Sequence, residues 1–541
     1  MTTARPAAAE PGAASAAAPA RSRIGRVVLG DLLQRAARRF PARTALVGGE
    51  QKLSFAELDA ASNRMARALL AQGLHPGDRV AMLCDNSIPM VIAMFGIYKA
   101  ALVWVPINTA LAVDAIGYIL EHAQASHLVI DSALLARDGL REIGERFGAH
   151  LTGCGAQAGT FLAQGASIEQ RLLGQADTLP EIAIDSADLV QIMYTSGTTG
   201  KQKGVMHSHA SIHSVLLSNL VEWGVGLEDE VFSCHLPLFH VGQHVVLLSA
   251  LLGGAASVLM QGFQAGPLLA AIARHRITLL VGLPMMYREL LDHPQRGASD
   301  LLSLRFCIYA MAPMSKPLLL RLLAELCPRF ALCSGQTEMY TAATIFRPEQ
   351  QLKRFGAYWG VATLVNEMAV MDDDGNLLGA GEVGEIVWRG PNVMLGYYKD
   401  PEATAHAWRF GWHHSGDLGR WDADGELLFL DRIKDMIKTG GENVPSIKVE
   451  EVLLRHPSVR DAAVVGLPHE RWGEAITAFL VTDPDRPVST EQIAAHCREH
   501  LGAFEVPKAF VQLPALPLTS TGKVQKFALR QDHLAYFGDP T

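Results

Sequence analysis

Residues 194–205 read Tyr-Thr-Ser-Gly-Thr-Thr-Gly-Lys-Gln-Lys-Gly-Val, a run of small hydroxylated residues, glycines and lysines. Gly197, Gly200 and Gly204 let the backbone approach an anion closely; Thr195, Ser196, Thr198 and Thr199 offer hydroxyl donors, and Lys201 and Lys203 supply charge. That combination is suited to cradling phosphates. It is not the loop of the P-loop nucleotidases, because Gly197 and Gly200 lie too close together and Gln202, with no hydroxyl, follows Lys201. A flexible solvent loop would account for the composition, but not for so many donors directly after the apolar run 189–194, which reads as a buried strand.

Further short motifs follow. His240 lies in Leu236-Pro237-Leu238-Phe239-His240-Val241-Gly242, Thr337 and Glu338 in Ser334-Gly335-Gln336-Thr337-Glu338, and Asp417 in His414-Ser415-Gly416-Asp417-Leu418-Gly419. Arg432 and Lys434 lie in Asp431-Arg432-Ile433-Lys434-Asp435, ahead of Gly440-Gly441-Glu442, and Lys523 closes Thr519-Ser520-Thr521-Gly522-Lys523. Taken singly, each has an ordinary reading: a helix start for Thr337 and Glu338, solvated charges for Asp417, Arg432 and Lys523, a packed core residue for His240.

Together, and in this order, they resemble the acyl-adenylate-forming enzymes, with the closest general look to the fatty-acid and aromatic-acid CoA ligases. The resemblance covers roughly residues 25–535. It implies an α/β fold: a large N-terminal domain of parallel α/β sheets with a β-rich subdomain, and a small mobile α+β C-terminal domain. It also implies the chemistry. A carboxylate is a poor acyl donor, so ATP first converts it to acyl-AMP with release of pyrophosphate, and coenzyme A then displaces AMP.

The residue roles are carried over from the same resemblance. Residues 195–203 hold the β- and γ-phosphates, Thr337 donates to the α-phosphate, and Glu338 coordinates Mg²⁺, which favours carboxylate and phosphate oxygens. Ser334, Gly335 and Gln336 border the nucleotide, Asp417 accepts from the ribose hydroxyls, and Arg432 contacts ribose or phosphate. Lys523 stabilises the charge at the α-phosphorus, on a domain that swings about Lys434 and then presents Gly440 and Gly441 to the thiol. His240 acts as an aromatic lid, and Gly282, Tyr309, Met311 and Gly335 wall the acid pocket. The apolar texture there, with few lysines or arginines, favours a medium-chain fatty or aromatic monocarboxylic acid. Four departures stand out: Ser334 in place of an aromatic residue, Gln202 in place of proline, the bulky 310–313 segment, and Lys448 in place of glutamate. Two rivals are a stand-alone adenylating enzyme that loads a carrier protein and a non-catalytic nucleotide-binding regulator.

The elements that must position these residues are partly legible. At 541 residues the chain exceeds a single core, with boundaries expected at 23–433 and 434–541. Ser54 and Glu57 have capping-box spacing at the head of a helix over 54–73. A strand at 80–84, a helix over 88–101 and a strand at 102–107 give the order of a parallel sheet. Acidic turns at 372–376 and 422–426 mark β-rich structure, and helices at 449–455 and 490–501 with a strand at 462–465 mark the C-terminal part.

Composition narrows the remaining possibilities. Apolar residues make up 49% and the net charge is -8, which predicts a folded chain without a general attraction for nucleic acid. Seven scattered cysteines lack metal or redox spacing and fit a reduced, cytoplasmic protein. Residues 2–22, rich in Ala and Pro, read as a disordered tail, and the longest apolar stretch, 245–260, is broken by Gly253-Gly254 and is no transmembrane segment. A homodimer is compatible with such a chain.

Overall fold

The computed structural model describes residues 25–155, 165–195, 202–226, 230–310, 314–354, 356–519 and 523–538. The expected tail at 2–22 lies outside them. The chain divides into two compact units: one of residues 1–262, 337–341 and 391–401, the other of residues 263–336, 342–390 and 402–541.

In the first unit, among the described residues, a sheet of eight strands runs Gly396–Tyr397, Lys203–Ser208, Leu189–Thr195, Val103–Pro106, Arg79–Leu83, Ala125–Asp131, Leu151–Cys154 and Ala166–Ser167. Arg79–Leu83 pairs in parallel with both Val103–Pro106 and Ala125–Asp131, as the strand–helix–strand order predicted. The intervening helix is Ile88–Lys99, apolar but for its last residue and buried on nearly every side. Ser54 and Glu57 form the expected reciprocal capping box on the helix Phe55–Ala71. The apolar stretch 245–260 resolves into the helix Val241–Gly253 and the strand Ala256–Leu259, and no helix among the described residues is long and apolar enough to cross a membrane.

The second unit begins with three parallel strands, Leu279–Gly282, Phe306–Tyr309 and Phe330–Ser334. Antiparallel strands continue from them through Thr344–Phe346, Tyr358–Ala362, Leu427–Arg432, His413–Trp421, Gly384–Arg389 and Glu367–Met371. The acidic turns fold as their composition suggests: Asp372 Oδ1 accepts from the backbone of Asp374 and Asn376, and Asp422 Oδ1 from that of Asp424 and Glu426. A smaller sheet follows, in which Val459–His469 pairs antiparallel with Gly473–Thr482 over a far longer stretch than the apolar core 462–465 suggested. The helix predicted at 449–455 starts earlier, at Ser446, because the Asp431 carboxylate accepts from both the backbone N–H (2.5 Å) and the hydroxyl (2.6 Å) of Ser446. That contact spans the boundary expected at 433/434, as does Arg288 Nη1 donating to the Arg460 carbonyl at 2.9 Å.

One buried charge ties the helix Ile88–Lys99 to the helix Phe55–Ala71. Lys99 is fully buried, and its ammonium donates to Asp59 Oδ1 (2.6 Å), the Asp59 carbonyl (3.0 Å), Asn63 Oδ1 (2.8 Å) and Ser62 Oγ (3.3 Å). Burial lowers its pKa to about 8, against the opposing pull of Asp59. Lys99→Met should destabilise the protein by about 3–5 kcal/mol, the cost of breaking a buried pair and stranding its acceptors. A fall in the thermal midpoint measures this, and an unchanged midpoint would contradict it.

Candidate active site

In the first unit the strands Leu189–Thr195 and Lys203–Ser208 form a hairpin closed by the pair Thr195 and Lys203. The expected phosphate-binding residues Ser196, Gly197, Thr198, Thr199, Gly200 and Lys201 lie outside the described residues. The strand Gly396–Tyr397 adds to the hairpin's outer edge. The Lys203 ammonium stands over the Tyr397 ring at 4.9 Å, and the Tyr397 hydroxyl donates to Glu338 Oε1 at 2.9 Å. Burial, and next the neighbouring Glu338, raise the Tyr397 pKa, so this phenol stays a donor at neutral pH. Among the described residues Glu338 makes no ion pair, so its half-buried carboxylate keeps lone pairs for a cation. A hard divalent ion such as Mg²⁺ fits that donor.

The turn carrying Thr337 and Glu338 is held from several sides. His207 Nε2 donates to the Thr337 carbonyl (2.7 Å), Met394 N–H to the Glu338 carbonyl (2.8 Å), and Asn392 Nδ2 to the Met339 carbonyl (2.7 Å). The next two residues, Tyr340 (φ +54°) and Thr341 (φ +39°), adopt the left-handed backbone that side chains normally avoid. Packing sustains it. Tyr340 is fully buried, and its hydroxyl bonds to His244 Nδ1 and to Gln191 Oε1 (3.3 Å). Burial lowers the His244 pKa to about 3, so the ring is neutral. His207, Tyr340, His244, Asn392 and Tyr397 were missed from sequence; only Gly396-Tyr397-Tyr398, an aromatic pair after a glycine, offered a local signal.

His240 is half-buried at the N-cap of the helix Val241–Gly253, where Nδ1 accepts from Gly242 N–H at 3.2 Å. That fixes the ring as a capping group, whatever further role it has.

In the second unit a polar cluster gathers most of the remaining predicted residues. Gln336 Nε2 donates to Asp417 Oδ2 (2.9 Å) and to the Ser415 carbonyl (2.6 Å). Asp417, 4% exposed, lies directly across the strand pair from Arg432, with Arg432 Nε at 3.6 Å from Oδ1. Lys523 joins them. It is an exposed residue, yet protein crowds its ammonium, and that desolvation together with Arg432 and Lys434 outweighs Asp417 and Asp435 and lowers its pKa to about 7. Solvent access leaves it a titrating group. Lys434 is lowered in the same way, by burial and then by Arg432. Asp435 is engaged by Arg530 at 2.9 Å. Arg432, Lys434 and Lys523 thus share Asp417 and an Asp435 already paired with Arg530, an electropositive neighbourhood.

Ser334 ends the strand Phe330–Ser334, its carbonyl accepting from Ala343 N–H at 2.8 Å, with Gly335 half-buried beside it. Gly282 and Tyr309 are register partners at the C-terminal ends of two adjacent parallel strands, the edge where α/β sheets commonly take ligands. The Tyr309 hydroxyl itself is buried against Gln351 Oε1 at 3.1 Å. Met311 lies outside the described residues. Gly440 (φ +61°) and Gly441 (φ +88°) make the two-residue turn between Ile437–Thr439 and Glu442–Val444, and both need a backbone that glycine alone adopts freely. Lys448 pairs with Glu505 at 2.5 Å.

The first unit thus carries a carboxylate with no ion pair among the described residues, and the second a cationic cluster around a buried aspartate, both on an α/β fold. The chain belongs to the AMP-binding enzyme family: that family's model matches residues 33–398, and the model of the AMP-binding enzyme C-terminal domain matches residues 448–523. It is 36% identical to the 3-[(3aS,4S,7aS)-7a-methyl-1,5-dioxo-octahydro-1H-inden-4-yl]propanoyl:CoA ligase of Mycobacterium tuberculosis, over 92% of this chain and 97% of that one. It is 34% identical to a feruloyl-CoA synthase of an Amycolatopsis species, over 93% and 98%. Among solved structures it is similar to ATP-bound MatB from Rhodopseudomonas palustris, with a TM-score of 0.85 and 29% identity over 94% and 99% of the two chains. The protein is an AMP-forming acid–thiol ligase that adenylates a carboxylate with ATP and transfers the acyl group to coenzyme A.

The crowding around Lys523 has a measurable sign. Arg432→Gln removes a neighbouring positive charge and should raise the Lys523 pKa above about 7, whereas Asp417→Asn removes a counter-charge and should lower it. Carbon-13 NMR of dimethylated lysines reads both shifts, and shifts of the same sign would refute the arrangement.

Proposed function

We propose that this ligase activates a medium-chain fatty or aromatic monocarboxylic acid, with the described residues in the following roles. The cationic cluster of Arg432, Lys434 and Lys523 around Asp417 is the observation that carries the reading. Protonated Lys523 places its charge at the α-phosphate as the carboxylate oxygen attacks phosphorus and the bond to pyrophosphate breaks. Asp417, steadied by Gln336, accepts from the ribose hydroxyls. Thr195 and Lys203, with the loop 196–201 between them, hold the β- and γ-phosphates, and Thr337 donates to the α-phosphate. Glu338, aimed by Tyr397, holds Mg²⁺, which neutralises phosphate charge when bound.

Acyl transfer then requires Lys523 to leave. We assign that motion to residues 434–541, turning about Lys434 and bringing the Gly440-Gly441 turn to the thiol; the Asp431 contacts to Ser446 would have to break. In the thiol step the coenzyme A sulfur, as thiolate, attacks the acyl carbon and AMP departs with its bonding electron pair. The apolar strand ends around Gly282 and the scarcity of cations there support an acid with one charged end. The polycyclic propanoate and the aromatic acid in the two relatives' names support the same class. Mg²⁺, ATP and coenzyme A complete the requirement, and a reduced cytoplasmic setting suits seven buried thiols.

Exchange of labelled pyrophosphate into ATP should require a suitable acid and proceed without coenzyme A. Exchange absent with every acid that supports coenzyme A consumption would refute the two-step course. Lys523→Ala should slow adenylation about 100-fold or more, the scale for losing one preorganised charge stabiliser, while transfer from preformed acyl-AMP falls much less. Equal losses in the two half-reactions would remove the proposed motion. Tyr397→Phe should weaken the apparent Mg²⁺ affinity in the exchange assay by about 10-fold, as expected when a metal ligand loses its orienting partner. An unaltered Mg²⁺ dependence would detach Tyr397 from Glu338.

A further inference from the structure

The helix Thr490–His500 ends in His496-Cys497-Arg498-Glu499-His500. Among the described residues, His496, Glu499 and His500 form the one group of three whose donor atoms all lie within 4.8 Å of one another. Spacings of three and four residues place all three on one helical face. None of them belongs to the adenylation chemistry described above.

What distinguishes this cluster from a chance grouping of surface side chains is the state of its two imidazoles. His496 Nε2 donates to the Val452 carbonyl at 3.0 Å, which fixes the proton on that nitrogen and leaves the Nδ1 lone pair free. His500 Nδ1 donates to the His496 carbonyl at 2.9 Å, which leaves its Nε2 lone pair free. A carbonyl holding the far nitrogen is the outer-shell arrangement that orients metal-ligating histidines and sets their tautomer. The neighbouring His456 is different: its Nδ1 accepts from Ser458 N–H, so its proton sits on Nε2 and it packs edge-on against His496 without offering a lone pair there. The ligand set lies in the last turn, where the aligned carbonyl dipoles favour a cation.

We propose that His496 Nδ1, Glu499 and His500 Nε2 form a binding site for one divalent transition cation of the Zn²⁺ class. Two imidazoles and one carboxylate select such an ion over Mg²⁺, and three protein ligands leave a position for water. The hydrogen bond from His496 to the Val452 carbonyl, just inside the end of the helix Ser446–Leu453, holds that imidazole in place for the ion. It is separate from the Mg²⁺ that accompanies ATP.

Untagged full-length protein, free of nucleotide, should bind one equivalent of Zn²⁺ in a calorimetric titration, with Mg²⁺ in excess failing to compete. Co²⁺ in its place should give visible d–d absorption. His500→Gln keeps a polar side chain at the helix end and should weaken Zn²⁺ binding at least about 10-fold, and His496→Ala with His500→Ala should abolish it. Ligase activity with Mg²⁺ and ATP should be unchanged in His500→Gln. No saturable Zn²⁺ binding by the wild type, or equal affinity in folded His500→Gln judged by circular dichroism, overturns the proposal.

Discussion

Positive charge gathered around one buried carboxylate is the constraint on which the site depends. Arg432, Lys434 and Lys523 repel one another, and Asp417 offsets only part of that repulsion. Strand pairing holds Asp417 opposite Arg432, so that counter-charge stays in place beside the cations. Desolvation first, and Arg432 next, pull both lysines below their ordinary pKa. In the proposed role, a polyanion entering such a place would offset that repulsion and favour the protonated lysine.

Glu338 is governed by the opposite logic. Its precision comes from neutral groups: a phenol, three backbone carbonyls accepting from His207, Met394 and Asn392, and a buried tyrosine that forces the chain through two left-handed residues. Strain of this kind persists only where the surroundings over-determine it. Tyr340 does so by sinking its ring into the core and bonding to a histidine that burial keeps neutral. The cost of the distorted turn is carried by packing well below the carboxylate it aims.

Local signals foretold local structure. Ser54 and Glu57 made their capping box, and the acidic turns closed on their own side chains. The parallel order of 79–83 and 103–106 followed from the helix between them. The positions of Asp417, Arg432 and Lys523 next to each other were readable only through a motif order already known from a family, since no periodicity joins residues about a hundred apart. The partners that hold Glu338 were not readable at all. His207, Asn392 and Tyr397 look like ordinary strand and loop residues, and their role arises from pairings between segments separated by 130, 53 and 59 positions. The early start of the helix Ser446–Leu453 was missed for the same reason, because its cap comes from Asp431 across a turn.

All seven cysteines are buried; burial raises the thiols of Cys84, Cys234, Cys307 and Cys497 away from the reactive thiolate, and Cys327, lowered by its hydrogen bond with Cys307, is kept from reagent by burial alone. A colorimetric thiol reagent added to the folded enzyme therefore meets coenzyme A as its accessible sulfur, so substrate consumption can be followed against a silent protein background. The same silence ends when the chain opens, and the rate at which the sulfhydryls become titratable becomes a clock for unfolding.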